Sequence, residues 1–332
     1  MLHDILFLII GLCLILAGGN FLTDGAEAIA RRFRISPLVI GLTVVAFGSS
    51  TPDLAVSLFS TIEGKSQLAL GDVVGANIFD LLLVVGIMAI ISPVPVSADM
   101  RKKDLPMLFL SGAALFICGD DRIFDSSPDT VSRTDGLLLL AFFVIFMCLT
   151  WSMAQRHNTT IPPPQGSKNL PQPDTNHEPM KMWLAIVCIA GGLTGLVAGG
   201  NWIVDGASGI ARRAGLSEAM IGLTVVAFGS SVPDLATSVI AAIKKQPEIA
   251  LGNVVGSCVF NVFLAIGICA VARPLDATRI SLIDFGTLTA AGAAIWIFGL
   301  SHTHKITRAE GWGLTIAYII YMTYVILFNS RP

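Results

Sequence analysis

Gly41-Leu42-Thr43-Val44-Val45-Ala46-Phe47-Gly48-Ser49-Ser50-Thr51-Pro52-Asp53-Leu54 returns 181 residues later as Gly222-Leu223-Thr224-Val225-Val226-Ala227-Phe228-Gly229-Ser230-Ser231-Val232-Pro233-Asp234-Leu235. Aligned without a gap, residues 41–87 and 222–268 agree at 26 of 47 positions. Each copy lies in apolar sequence and still keeps serines, a proline and a carboxylate. Packing alone does not ask for those residues, whereas two half-sites brought face to face do.

The surrounding chain is equally apolar. Of its 332 residues 54% are hydrophobic and 13% charged, with a mean hydropathy of +0.75. That composition excludes an ordinary soluble domain. Ten stretches have the apolar character of a bilayer-crossing helix: 5–30, 37–61, 67–92, 105–119, 134–153, 182–211, 218–243, 249–272, 282–300 and 311–328. The first, Ile5–Ala17, has the look of a secretory leader. Its counterpart argues for a place in the fold, because Ala17-Gly18-Gly19-Asn20 reappears as Ala198-Gly199-Gly200-Asn201. The expected fold is therefore an all-α membrane protein of ten transmembrane helices.

Residues 154–181 are polar, carry six prolines and read as an extended linker. They divide the chain into 1–153 and 182–332, five spans each, with the repeated motifs at 41–87 and 222–268. Five is odd, so the second copy enters the bilayer from the opposite side and the two five-helix repeats are inverted. With the N-terminus outside, 13 of the 21 Lys and Arg residues fall in inward loops. This bias places both termini outside the cell membrane and the linker in the cytoplasm. Arg212 and Arg213 run against it. Six cysteines, all in apolar stretches and without paired spacing, read as small packing residues. The five histidines lie in loops or at the terminus, outside any ligand spacing.

The motif's chemistry begins with its prolines. Pro52 and Pro233 lack an N–H and crowd the carbonyls of Gly48 and Gly229, so the helix is expected to open there. Carbonyls freed over Ala46–Gly48 and Ala227–Gly229 must then line a protected cavity. Ser50, Asp53 and Ser57 are spaced three and four apart, as are Ser231, Asp234 and Ser238, so each set shares a helix face. In the next helix Asp72, Ala76 and Asp80 are matched by Asn253, Ser257 and Asn261. One ionised residue at a helix centre costs roughly 2.5–3.5 kcal/mol, and three without partners on the order of 8–10. No Lys or Arg stands at the depth of Asp53, Asp80 or Asp234, so a mobile cation is expected to balance them. Ligands that are all oxygen select hard cations such as Ca²⁺, Mg²⁺ or Na⁺ over zinc or copper. Crowded carboxylates also make protons competitors for the site.

These residues resemble the cation/calcium exchanger superfamily. Its repeats carry Gly-Thr/Ser-Ser-x-Pro-Glu followed by Gly-Asn-x-x-Gly-Ser/Ala-Asn-x-x-Asn/Asp. Here the two motifs stand as Gly48-Ser49-Ser50-Thr51-Pro52-Asp53 with Gly71 to Asp80, and as Gly229-Ser230-Ser231-Val232-Pro233-Asp234 with Gly252 to Asn261. The resemblance implies antiport of Ca²⁺ against Na⁺, or against H⁺ in some branches, by alternating access. Ca²⁺ and Na⁺ are then transported ions, and no permanently bound cofactor is implied. It carries over Asp53 and Asp234 as central ligands and Ser49, Ser50, Ser230 and Ser231 as flanking oxygens. Asp80, Ser257 and Asn261 fill the remaining cavity positions, and Ala46 and Ala227 offer carbonyls. The large inserted domains of some relatives are missing, as in compact prokaryotic members. Two features depart from the pattern: Asp replaces Glu at both centres, and the third acid sits in the first half, with the amide in the second.

Other readings remain open on residues alone. Asp24 and Asp205 line an ion pathway or cap a broken helix, and Asp72 is interfacial or gating. Asp120, Asp121, Asp125 and Asp129 form a solvated loop or gather cations. An intramembrane aspartyl protease would use two carboxylates on a water, but the nearest approach to its Gly-x-Gly-Asp signature is Ala69-Leu70-Gly71-Asp72. A passive channel, an H⁺-coupled exchanger and a carrier of Mg²⁺ or Mn²⁺ complete the alternatives. Inorganic cations and the lipid bilayer are the expected partners, and nucleic acid is not.

Overall fold

The computed structural model describes residues 2–33, 35–120, 129–159, 180–213, 231–278 and 280–329. The chain is mostly helical. Helix α1 (Leu2–Phe33) leads to α2, a rod over 37–62 built from Pro37–Ile40, a π-helical turn Gly41–Val45 and Ala46–Ile62. Helix α3 (Ser66–Ile91) contains a π turn at Phe79–Val84. Next come α4 over 100–119, opening on the π turn Met100–Asp104, and α5 (Arg133–Thr159). The second half supplies α6 (Met182–Arg213), α7 (Val232–Ile243) and α8 (Pro247–Ala272), the last with a π turn at Phe260–Ile266. Helix α9 is Leu282–Leu300, and α10 is Arg308–Tyr324 running on into Val325–Asn329.

Among the described residues, seven helices are long and apolar enough to cross a bilayer, or eight if the bent α2 counts as one span. Leu12 and Leu16 of α1, Val144 of α5, Trp183 of α6 and Ile320 of α10 turn bare apolar surface outward. A soluble protein would hide such surface, and a bilayer welcomes it. The chain is a multi-pass membrane protein. Helices α3 and α8 are the most enclosed and form the centre.

Backbone detail repeats with the sequence. The π turns of α3 and α8 start 181 residues apart, at Phe79 and Phe260. So do the left-handed residues before each helix, Gly64 at φ +85° and Lys245 at φ +59°, and the extended residues after it, Ser92 and Arg273. Two short antiparallel ladders tie the halves together. Strand β1 (Val94–Pro95) pairs with β4 (Lys305–Ile306), and β2 (Thr130–Val131) with β3 (Leu275–Asp276).

Helices α1 and α6 pack antiparallel along a seam of small residues. A Cβ on Gly11 would lie 2.8 Å from the Gly199 carbonyl, one on Gly18 2.7 Å from that of Gly192, and one on Gly25 2.8 Å from that of Ala185. Without a hydrophobic drive inside lipid, such close backbone approach is what holds two helices together.

Local chemistry sets the ends. Ser281 with Asp284 and Thr307 with Glu310 form capping boxes that start α9 and α10. Helix α5 runs six residues into the expected linker, to Thr159, because no proline interrupts it until Pro162. Residues 160–179 of that linker lie outside the described residues, as do 218–230 of the seventh apolar stretch.

Pro52 does not open its helix. Ala46–Ile62 stays helical, and the rod bends by 48° between Leu38–Thr51 and Val56–Ile62. Hydroxyls bond two carbonyls just before the proline: Ser49 Oγ donates to the Ala46 carbonyl at 3.2 Å and Thr51 Oγ1 to that of Phe47 at 2.6 Å. Pro233 stands in the first turn of α7, where a missing N–H goes unnoticed.

Candidate cation site

Four helices meet at the centre, two from each half: α2 and α3, α7 and α8. The π turns matter locally. Asp80 and Asn261 are each the second residue of one, and the widened turn of a π bulge re-aims side chains and often marks functional positions.

One polar network crosses between the halves. Ser49 Oγ of α2 donates to Asn253 Oδ1 of α8 at 3.3 Å and lies 3.4 Å from Ser257 Oγ. Asn253 Nδ2 donates to Asp234 Oδ1 of α7 at 3.2 Å and reaches Ser238 Oγ at 3.4 Å. A second link joins α3 to α8, where Asn261 Nδ2 donates to Asn77 Oδ1 at 3.2 Å. Ser49, Asp234, Asn253, Ser257, Asn77 and Asn261 are all buried.

Asp80 is fully buried, and neither of its carboxylate oxygens has a hydrogen-bond partner. It is near enough to Asp234 and Asp53 for the charges to repel, and Asp53 likewise feels Asp234 and Asp72. Ser50 Oγ, Ser57 Oγ and Asn261 Oδ1 are also buried without partners. Native interiors rarely leave so many oxygens unsatisfied. Among the described residues the ion pairs seen are Lys65–Glu63, Arg213–Asp4 and Lys244–Asp24, none of which touches these three acids. These three carboxylates are thus close enough to repel one another, and no side chain among the described residues offers them a positive charge.

Each acid comes from a different helix, with hydroxyls and amides between them. Among the described residues no three Asp, Glu, His or Cys side chains close into a metal cluster on their own. The groups available to a cation are a mixed oxygen set, as suits a hard ion that must also leave.

The expected site residues divide as follows. Ser49, Asp234, Ser257 and Asn261 belong to the networks, Asp53 and Asp80 are near enough to Asp234 to be repelled by it, and Ser50 is buried on the same rod as Asp53. Ser231 is the buried N-cap of α7, without a side-chain capping bond. The Ala46 carbonyl is engaged by Ser49. Ser230 and Ala227 lie outside the described residues. Asp24 is bound to Lys244 Nζ at 2.7 Å instead of capping a broken helix, and Asp205 is exposed.

Asn77, Asn253 and Ser238 are the network members that the expected ligand set omits. Their signal was present: Asn77 falls in the second motif, and Asn253 and Ser238 occupy the repeated oxygen faces.

The family model for sodium/calcium exchanger proteins matches residues 3–152 and 184–327. The CaxA protein of Alkalimonas amylolytica is 34% identical, over 99% of this chain and 100% of its own length. The sodium/calcium exchanger MaX1 of Methanosarcina acetivorans is 28% identical, over 98% of each chain. Among solved structures, the sodium-calcium exchanger NCX_Mj superposes with a TM-score of 0.81 at 28% identity, covering 98% of this chain and 99% of that one. With both halves matched and the polar centre built from both repeats, the chain belongs to the sodium/calcium exchanger family.

Proposed function

We propose that this protein is a secondary antiporter that exchanges Ca²⁺ against Na⁺ by alternating access. The carrying observation is the Asp80 carboxylate, wholly buried with both oxygens unpartnered beside Asp234 and Asp53. Burying an unpaired charge is expensive, so the arrangement makes sense when a cation passes through. Asp53, Asp80 and Asp234 bind the cargo, and Ser49, Ser50, Ser230, Ser231, Ser257, Asn261 and the carbonyls of Ala46 and Ala227 complete its oxygen shells in turn. Ion exchange by NCX_Mj was followed in structures soaked with Na⁺ and Sr²⁺, which supports the same choice of hard cations here.

The architecture we infer is ten spans in two inverted repeats, 1–153 and 182–332, joined by a cytoplasmic linker, with both termini outside. Two observations support it. Equivalent helices α1 and α6 run antiparallel side by side, as an inversion requires. Each ladder also joins loops that ten alternating spans put on one side of the membrane: β1 follows the third span and β4 the ninth, β2 the fourth and β3 the eighth. Alternating access then amounts to the two repeats exchanging conformations around a fixed site.

Proton coupling is the second reading, favoured by Asp at both central positions. Each arm is one methylene shorter than Glu and reaches a bound metal less closely, leaving room for protons in the cycle. Reconstituted vesicles decide between them. Uphill ⁴⁵Ca²⁺ uptake driven by an imposed Na⁺ gradient is expected. Uptake driven by a pH gradient in the absence of Na⁺ would establish the second reading, and equilibration without any gradient would mean a channel.

A further inference from the structure

The two ends of the transport path are not built alike. Near one end, Lys244 Nζ at the close of α7 donates to Asp24 Oδ1 of α1 at 2.7 Å and to the Asn20 carbonyl at 3.2 Å. One turn further along α1, Gln246 Nε2 donates to Glu27 Oε2. The turn between α7 and α8 is thus fastened to α1 at two successive levels. Above it α1 lies closely along α7, with Gly19 directly beneath the Ile240 side chain.

The mirror positions carry different chemistry. Displaced by 181 residues, the Lys244–Asp24 pair becomes Glu63 and Asp205, acid against acid, and the Gln246–Glu27 pair becomes Lys65 and Ser208. Glu63 is bound instead to Lys65 of its own turn at 2.8 Å, both exposed. Among the described residues helix α6 touches α2 less than α1 touches α7, with its Leu193 side chain against Gly48. The α1–α6 unit is held internally by its glycine seam and by Arg213 Nη2 on Asp4 Oδ2 at 3.1 Å.

We propose that the Lys244–Asp24 and Gln246–Glu27 contacts form a one-sided clasp that biases the carrier toward the conformation closed at the membrane face bearing the α7–α8 turn. The proposal rests on the alternating-access reading above. When two inverted repeats exchange conformations, the α1–α7 interface opens and the α6–α2 interface forms in its place. The clasp is then broken, and like charges at Glu63 and Asp205 offer no substitute. A contact made in one of two states shifts the balance by its own free energy.

The test uses the full chain in oriented proteoliposomes, with ⁴⁵Ca²⁺ as probe at each face, and hydrogen exchange on the purified protein. Lys244→Gln is expected to lower the apparent Ca²⁺ KM at the clasped face by about three- to fivefold, the factor an exposed ion pair can supply. It should raise KM at the other face and speed amide exchange over 241–249. Asp24→Lys with Lys244→Asp should restore all three. Glu63→Lys, which installs a mirror clasp, should shift the KM values the opposite way. Unchanged KM values and amide exchange in Lys244→Gln would overturn the proposal, and so would a charge swap that fails to rescue. Absence of any ion-driven Ca²⁺ movement in the parent protein, with the amide-exchange pattern as expected, would instead retain the clasp and overturn the exchanger reading.

Discussion

Asn77 and Cys258, equivalent residues of the two repeats, bind each other: Asn77 Nδ2 donates to the Cys258 carbonyl at 3.2 Å, and Cys258 Sγ reaches back to the Asn77 carbonyl at 4.0 Å. Equivalent residues can touch reciprocally only where a local two-fold axis passes between them. Asn77 Oδ1 also accepts from Asn261 Nδ2, so one side chain joins α3 to α8 and sets the orientation of a candidate ligand. Asn77→Ala strands two buried polar groups, each worth about 1–3 kcal/mol when left unpaired. A clear fall in the thermal midpoint in detergent is expected, together with loss of Ca²⁺ exchange. Cys258→Ser keeps a small donor and should stay within about 1 kcal/mol of the parent, since a typical net hydrogen bond is of that size. Equal midpoints for Asn77→Ala and the parent would show that this bridge holds nothing.

Asp234 offers a cleaner separation of fold from transport. Its Oδ1 accepts from Asn253 Nδ2, and an amide in its place can still accept that bond. Asp234→Asn should therefore keep its thermal midpoint within about 1 kcal/mol of the parent, the net worth of one hydrogen bond, while ⁴⁵Ca²⁺ exchange falls to background. Asp53→Asn should behave alike. Full exchange in either variant contradicts their assignment as cargo ligands.

The motifs made much of this legible. Helix positions followed from apolar length, and the expectation that Ser49, Asp234 and Ser257 share one region from the repeat and the family resemblance. Three things did not. The chain answers Pro52 with a 48° bend and no break, which the proline alone does not announce. Thr51 is unique to the first copy, since Val232 replaces it, and no pattern announces that its hydroxyl will serve Phe47. The π turns at Phe79 and Phe260 leave no mark in the apolar lengths from which the spans are read. The fate of Asp24 was decided by Lys244, 220 residues away in sequence and adjacent only once α7 lies on α1.

Asp80 gives a prediction with an unusual sign. Its carboxylate is buried with both oxygens unpartnered, so the neutral, near-isosteric Asp80→Asn should leave the cation-free protein at least as stable as the parent, within about 1 kcal/mol or above it. The same change removes the cation's partner. Saturating Ca²⁺ adds about 2.7 kcal/mol to a protein at 100 times its Kd, and that increment should shrink or vanish in the variant. Thermal midpoints with and without Ca²⁺ measure both effects. A lower midpoint for the cation-free variant would mean that the Asp80 carboxylate is satisfied by the protein itself.

The α1–α6 seam can be tested against its own control. A Cβ at Gly18 would stand 2.7 Å from the Gly192 carbonyl and 2.9 Å from the Leu196 amide nitrogen, backbone atoms that cannot rotate aside. One at Gly191, the neighbouring residue of the partner helix, meets nothing within 4 Å. Gly18→Ala must therefore push the helices apart, costing about 1–3 kcal/mol as overpacking does, whereas Gly191→Ala should be neutral or slightly stabilising because alanine is the better helix former. Because the seam couples α1 to α6, the separated helices should also transport more slowly even where the protein remains folded. Thermal midpoints and initial rates of ⁴⁵Ca²⁺ uptake for the two variants distinguish this close approach from a general sensitivity of membrane helices to lost glycine. Equal behaviour of the two would mean that the seam is not what binds the pair.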